Sequence, residues 1–267
     1  MFQSIAKFSN DNVGVEKTLK LLQSTSQIAA NIGYWSPDEA AQWTIAKNQF
    51  AFARRFFRLV KWIDCWNNAY TQFEAYSAPS PPQRSTKDEK EQPKRIPPPQ
   101  SSLHCLLLVS KWSLLGAYLF LEMFTIIDAV TGAWRPWAVS TQIESLKLWF
   151  YALSVSVFLD LYEIFFVYSE QPGSTTSLFK HLTDEKKSAS KSNGEKTSEE
   201  VASKPDSTSL QAAKLRSLYR QLVIDSCDVI IPGAAVGWLS LDPVTVGIAG
   251  TISALVGGSD AWARVNA

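Results

Sequence analysis

An apolar stretch from Leu103 to Ile127 constrains this chain most, because its only His, Lys or acidic side chains are His104, Lys111 and Glu122. On a helical wheel these three residues fall within one narrow arc, so the rest of the helix surface is apolar. A membrane span needs about 20 apolar residues, and a charge within it must face other helices or an aqueous cavity. The stretch therefore predicts a helix that is inserted in a membrane or deeply associated with it. A soluble helical hairpin is the alternative.

A second apolar segment, from Leu148 to Tyr168, repeats this pattern, with Asp160 and Glu163 on one arc of the wheel. Two mostly apolar helices with narrow polar stripes favour a hairpin that folds near Trp137 and buries the stripes between helices. Counting residues from that bend places Lys111 within about one turn of Glu163 and Asp160, so we expect an ion pair there. The predicted intramembrane polar stripe comprises Lys111, Glu122, Asp160 and Glu163.

The N-terminal region predicts a first helix from about Asn12 to Ile32 and a second helix that starts at Ser36–Pro37. The second helix contains an amphipathic stretch from Lys47 to Trp66, with an aromatic-rich apolar face opposite a face of cations. Such a helix can lie in a bilayer interface, with its cations at anionic headgroups. The alternative is a soluble helix whose apolar face packs on a core. The predicted lipid-binding residues are Phe52, Phe56, Leu59, Val60, Ile63 and Trp66 on the apolar face and Lys47, Arg54, Arg55, Arg58 and Lys61 on the basic face.

The C-terminal region predicts an amphipathic helix from about Ser209, followed by two apolar halves, Val229–Leu241 and Val244–Gly258. Each half is short for a span, so we expect either a re-entrant hairpin or one long, broken span. A β-hairpin is a minor alternative, because Val, Thr and Ile are numerous here. Gly233 and Gly237 have the spacing that lets two helix backbones approach closely, which predicts a self-association face, although this spacing is frequent in any span.

Two polar stretches divide the chain into three structured regions. Residues 77–102 are rich in Pro and charge, and residues 170–209 are rich in Ser, Thr, Lys and Glu, so both are predicted to be linkers and the second to be disordered. The structured regions are the N-terminal helices (1–76), the apolar hairpin (103–169) and the C-terminal helix with its membrane segment (210–267). Lys and Arg flank the apolar segments on the linker sides, which places both linkers and both termini in the cytosol.

Composition excludes several classes of function. The chain has 26 Lys and Arg against 25 Asp and Glu, so no general positive field exists to bind nucleic acid. Its three Cys lie far apart, which disfavours a disulfide scaffold and a zinc site, and we predict no bound metal. No catalytic or cofactor-binding motif occurs, so we predict that the chain is not an enzyme and has no cofactor.

Three segments resemble the peroxin eleven family of peroxisomal membrane-elongation proteins. Gly14-Val-Glu16-Lys17 is similar to the G-x-[DE]-[KR] helix that opens that family, and Ala53–Lys61 is similar to its basic amphipathic segment. The stretch from Arg216 to Trp262 resembles its closing pattern. The residues that carry the third likeness are Leu218, Leu222, Asp225, Asp228, Pro232, Gly237, Trp238, Pro243 and Gly247. The two long linkers resemble those of a divergent fungal-type paralogue.

The resemblance implies a peroxisomal membrane protein with cytosol-facing termini that self-associates, elongates the membrane and recruits the fission machinery. Together with the residue patterns, it predicts an all-α, multi-helix, membrane-associated protein that promotes peroxisome fission and proliferation. In the proposed mechanism, the helix from Lys47 to Trp66 inserts as a wedge beside anionic lipids, and homo-oligomers concentrate the wedges. A pore for small metabolites is the alternative, because the polar stripe could line one.

Overall fold

The computed structural model describes residues 2–77, 102–167 and 207–266, and all regular structure within them is helical. The predicted linkers at 77–102 and 170–209 lie outside the described residues except at their edges, where helices take in Ser77, Ser102 and 207–209. The all-α prediction is confirmed, and no strand replaces the C-terminal helices in the described part of the chain. The helices are α1 (Phe2–Asn10), α2 (Asn12–Asn31), α3 (Pro37–Phe57), α4 (Lys61–Ser77), α5 (Ser102–Phe124), α6 (Ile126–Thr131), α7 (Pro136–Tyr162), α8 (Ser207–Val236) and α9 (Pro243–Asn266).

The chain forms two compact units. The first consists of Met1–Ser156 together with Ile224–Ala267. The second is Val157–Val223, and its described residues comprise the end of α7, a π-helical turn at Glu163–Val167 and the first half of α8. The residues that carry the argument below lie in the first unit, apart from Asp160 and Glu163.

Helix α2 packs along α9 through small residues. Asp11 caps α2 by accepting a hydrogen bond from the Gly14 backbone N–H at 3.0 Å. On α9, a Cβ added to Gly247 would lie 2.7 Å from Ile28 Cγ1, and one added to Gly250 would lie 2.4 Å from Ser24 Oγ. Glycine at these positions therefore allows the two helices to approach closely.

Helix α3 starts where the sequence predicts but ends inside the predicted amphipathic stretch. Ser36 and Glu39 form a capping box at its start, with Pro37 in the first turn. After Phe57 the helix is interrupted, and the backbone N–H groups of Leu59 and Lys61 donate to carbonyls three residues earlier. These tighter turns separate α3 from α4, so the stretch from Lys47 to Trp66 is two helices joined by a short turn.

Helices α5 and α7 form the predicted hairpin, with the short helix α6 between them. The rings of Tyr118 and Trp149 stack with centroids 5.1 Å apart, and Thr125 Oγ1 donates to Gln142 Oε1 at 2.8 Å. Helix α7 begins at Pro136, well before the predicted apolar segment, because its first three turns are helical but polar.

Helices α8 and α9 replace the two short C-terminal halves. Helix α8 continues through the buried Pro232 and ends at Gly237, whose φ of +83° is a left-handed conformation that favours glycine. Asp242 caps α9 by accepting from the Thr245 backbone N–H at 2.9 Å. Helix α9 then runs to Asn266, so it is longer than the apolar segment that the sequence marks.

Polar side chains occupy much of the interior, while large apolar side chains cover much of the outside. Buried residues include Lys20, Arg54, Glu122 and Asp225, whereas many Phe, Trp, Ile and Leu side chains are exposed. Among the described residues, three helices are long and apolar enough to cross a membrane: Ser102–Phe124, Pro136–Phe165 and Pro243–Asn266. A polar interior with an apolar exterior is the arrangement expected where lipid, not water, surrounds the helices.

Candidate functional site

The apolar face of the stretch from Lys47 to Trp66 points away from the protein. Phe56 is 51% exposed and Val60 is 62% exposed, and Ile63 is similarly exposed on the first turn of α4. Phe52 and Leu59 are half-buried, and the Phe52 ring meets Phe56 edge to face at 4.8 Å. In the described structure this face does not pack into a core.

Trp66 differs from the rest of this face because it also packs on α5. Its indole N–H donates to the Ser113 carbonyl at 3.3 Å, and a Cβ added to Gly116 would lie 2.4 Å from the indole ring. Trp66 therefore holds α4 against α5 while one side of its ring remains exposed.

Four cations of the predicted basic face turn toward the protein and pair with two buried carboxylates. Glu16 of α2 lies 3.0 Å from Lys61 Nζ and 3.8 Å from Arg54 Nη2. Burial by itself raises the pKa of Glu16, but Arg58, Lys61 and Arg54 outweigh it and lower that pKa to about 2. Glu16 is therefore a carboxylate at neutral pH, and it joins α2 to α3 and α4. The fifth cation, Lys47, is half-buried on α3.

Glu122, near the end of α5, holds the other half of this cluster. Its carboxylate lies 3.3 Å from Arg58 Nη2 and 3.6 Å from Arg55 Nε, and it accepts a hydrogen bond from the Tyr118 hydroxyl at 3.1 Å. Burial lowers the pKa of Arg58, but Glu122 outweighs it and raises that pKa, so Arg58 stays charged. Sequence analysis placed Glu122 on a stripe with Lys111, whereas the structure shows it paired with cations of the α3–α4 region.

The cations in this cluster outnumber the acids. Arg54, Arg55, Arg58 and Lys61 face two carboxylates, and three guanidinium nitrogens are buried without a hydrogen-bond partner among the described residues: Arg54 Nε, Arg55 Nη1 and Arg58 Nε. Arg54 is only 8% exposed, and burial lowers its pKa. The α3–α4 region therefore keeps an excess of positive charge beneath an exposed apolar face.

A second polar cluster lies between the apolar helices. Lys111 Nζ lies 3.9 Å from Asp225 Oδ2, and the Ser156 hydroxyl donates to the same carboxylate, which joins α5, α7 and α8. The predicted partners Asp160 and Glu163 belong to the second unit, so their pairing with Lys111 stays a prediction. Sequence reasoning treated Asp225 only as a polar group at the entry to a membrane segment. Its spacing from Asp228 on one helix face was the available signal.

A third polar contact, between Lys20 and Asp228, was missed by sequence reasoning. Lys20 is 3% exposed and donates to Asp228 Oδ1 at 2.5 Å and to Ser253 Oγ at 2.6 Å, which joins α2, α8 and α9. Burial lowers the pKa of Lys20 to about 8, and the attraction of Asp228 opposes that change only in part. Nothing near Lys20 in the sequence identifies this partner, which lies more than 200 residues away.

The two glycines predicted to mediate self-association make contacts within the chain. A Cβ added to Gly233 would lie 2.6 Å from Leu239 Cδ1 and 3.1 Å from Phe150 Cε2. Gly237 ends α8, as described above. Their role between chains remains a prediction. Within the described residues, no group of three His, Cys, Asp or Glu is arranged to hold a metal ion.

Comparison with known proteins gives one match. The model of the family described as peroxisomal biogenesis factor 11 (PEX11) matches residues 2–86 and 94–262. No curated protein and no solved structure matches the chain. The family match includes the exposed apolar face, both carboxylates of the cation cluster and all three apolar helices.

Proposed function

This chain belongs to the peroxisomal biogenesis factor 11 family, and from that membership we propose that it elongates the peroxisomal membrane by inserting the apolar face of residues 47–66 as a wedge. The family is associated with the peroxisomal membrane and acts in peroxisome proliferation and membrane remodelling. It is a family of biogenesis factors and is not known for enzymes.

The outward direction of Phe56, Val60 and Ile63 is the observation that carries this proposal. Bulky apolar side chains exposed on consecutive turns are stabilised by leaving water for the acyl boundary of a bilayer. The opposite side of the same segment is tied to α2 and α5 through Glu16 and Glu122. The wedge is therefore fixed to a helical body, so that inserting it displaces lipid instead of merely rotating the helix.

The excess of cations supports a preference for anionic lipids. Four cations face two carboxylates beneath the wedge, so a net positive charge remains near the membrane surface. Each cation near an anionic surface contributes about 1 kcal/mol of attraction, which salt screens. In this proposal homo-oligomers concentrate the wedges, the termini face the cytosol, and the elongated membrane is passed to the fission machinery.

Vesicle elongation by the full-length protein tests the wedge. We expect wild-type protein to form tubules from anionic vesicles, and the double variant Phe56→Asp/Ile63→Asp to bind without forming them. Asn67→Asp places the same charge at an exposed polar position of α4 and should leave tubulation unchanged. Tubulation by the double variant at the wild-type level would refute the wedge. The same variants should alter peroxisome length and number in cells in the same order.

A pore for small metabolites is the second candidate function. The polar contact of Lys111, Asp225 and Ser156 between three apolar helices favours it, because charges within apolar helices often mark a solute path. Solute flux through vesicles that contain purified protein and keep their shape would support the pore. Vesicles that elongate while remaining sealed to small solutes would support the wedge alone.

A further inference from the structure

The connection between α2 and α3 carries an exposed aromatic surface that the wedge does not use. Tyr34 is 83% exposed, and Ile32, Trp35 and Trp43 are also exposed. The Trp35 ring meets Tyr34 edge to face at 5.4 Å and lies 6.2 Å from the Trp43 ring, so the aromatics form one cluster. Gly33, with φ of +73°, and the capping box at Ser36 fix the turn that presents them.

An open cavity lies beside this cluster. It has a volume of about 530 Å³ and is lined by Thr25, Ile28 and Ala29 at the end of α2 and by the connecting residues 32–35. This volume is within the range of about 300–1,000 Å³ that holds small ligands in proteins. Its lining contains no charged side chain, so a charged ligand would find no partner there.

The absence of charge extends over the whole segment. From Leu21 to Pro37 the sequence has no Asp, Glu, Lys or Arg. The neighbouring connection between α8 and α9, residues 237–242, contains only one charged residue, Asp242, which caps α9. A protein partner recognised by charge would have nothing to bind at this end of the first unit, whereas a hydrocarbon chain needs no charge.

The cluster lies beside one end of a helix that can cross a membrane. Gln27 Nε2 donates to the Pro243 carbonyl at 2.8 Å, and Pro243 is the first residue of α9. Trp238 and Leu241, just before α9, are exposed as well. Trp and Tyr concentrate at the ends of membrane spans, where an apolar ring meets the acyl boundary and a polar edge meets headgroups.

We propose that the α2–α3 connection is a second lipid-contacting site, in which Tyr34 and Trp35 lie at the membrane interface and the adjacent cavity takes an acyl chain. This site depends on the membrane location of the family and is independent of the wedge at residues 47–66. It anchors α2 beside the start of α9 and so fixes the depth of the first unit in the leaflet.

Photolabelling of the full-length protein tests the site. The probe is phosphatidylcholine with a diazirine on one acyl chain, in vesicles of neutral phosphatidylcholine, so that no anionic lipid is needed. Light should label the tryptic peptide Leu21–Lys47 as well as the peptide Gln221–Arg264, which contains α9. Labelling of the second peptide without the first would overturn the proposal, as expected if another copy of the chain covers this surface.

Two variants distinguish the cavity from general proximity to lipid. Ala29→Phe fills the cavity and should lower labelling of Leu21–Lys47 several-fold, while Ala41→Phe, at an exposed position of α3 in the same peptide, should leave it unchanged. Tyr34→Asp adds a charge at a fully accessible position without disturbing packing, and should also lower labelling. Equal labelling of the wild type, Ala29→Phe and Tyr34→Asp would overturn the proposal.

The wedge variant separates this site from the proposed function. Phe56→Asp/Ile63→Asp should lose tubulation but keep wild-type labelling of Leu21–Lys47. If the wedge were wrong, labelling would still report on the cavity, and if the cavity were wrong, tubulation would still report on the wedge.

Discussion

At the residue scale, the buried carboxylates hold the α3–α4 region in place. Glu122 is the partner of two buried guanidinium groups, and Glu16 is the partner of Arg54 and Lys61. A buried ion pair adds little to stability by itself, but removing one member leaves an uncompensated charge and is strongly destabilising. Each carboxylate is therefore needed because its cations are already buried.

Glu122→Gln should lower the free energy of unfolding by about 3 kcal/mol, because it leaves Arg55 and Arg58 without a counter-charge. The thermal unfolding midpoint of the full-length protein in detergent measures this effect. Glu144→Gln is the matched control, because Glu144 is exposed and pairs only with the neighbouring Lys147, so a change within about 0.5 kcal/mol is expected. Equal midpoints for the two variants would show that Glu122 is not essential to the cluster.

Lys20 should make stability depend on pH above neutrality. Between about pH 8 and its ordinary pKa of 10.5, the folded chain releases the Lys20 proton while the unfolded chain keeps it, so the contribution of Lys20 to stability rises with pH. Unfolding midpoints measured across this range should rise less for Lys20→Met than for the wild type. Lys7→Met, at an exposed position of α1, should keep the wild-type dependence. The same slope for all three proteins would contradict the effect.

At the element scale, the contact between α2 and α9 depends on small residues at particular positions. Gly247 faces Ile28 and the Ser24 carbonyl, with 3.2 Å from an added Cβ to that backbone oxygen. The position of Gly258, by contrast, has 3.8 Å to its nearest neighbour, Lys17 Cβ. The two glycines occur in the same helix but meet different surroundings.

Gly247→Ala should destabilise the protein by about 1–3 kcal/mol, because the added methyl overpacks the contact with α2. Gly258→Ala is the matched control and should be neutral or slightly stabilising, since alanine favours a helix by up to about 1 kcal/mol over glycine. Thermal unfolding of both variants measures the difference. A stabilised Gly247→Ala variant would mean that α2 and α9 have room to separate.

The sequence predicted helices that have local signals and missed features that depend on distant residues. Asp11 and the apolar periodicity predicted α2 within one residue of its observed end. The interruption after Phe57 was missed, because the apolar pattern continues across tight turns without a change of face. The partners of Arg58 and Lys20 are far away in the chain, so no local pattern could identify them.

At the scale of the whole molecule, the polar interior and apolar exterior predict firm attachment to the membrane. Alkaline carbonate should leave the full-length protein in the membrane pellet, because three described helices are each long enough to span. A soluble protein of the peroxisome interior, released by the same treatment, is the control. Recovery of the chain in the supernatant would show that these helices only rest on the surface.

The predicted orientation of the chain can be tested on intact peroxisomes. Protease added from outside should cut within residues 77–102 and 170–209, since Lys and Arg on those sides of the apolar segments place both in the cytosol. Immunoblotting for each fragment identifies the cut, and a protein of the peroxisome interior should stay intact. Protection of both segments would invert the orientation.

The pairing of α2 with α9 has a consequence for the order of folding. The salt bridge of Arg264 with Asp11 and the hydrogen bond of Lys20 with Ser253 each close a loop of more than 200 residues. Contacts of such high sequence separation form slowly, because loop closure costs entropy before the contact stabilises it. Although α2 leaves the ribosome long before α9, its ammonium group has no buried partner until α8 and α9 are in place. The helix that is synthesised early is therefore among the last to complete its packing.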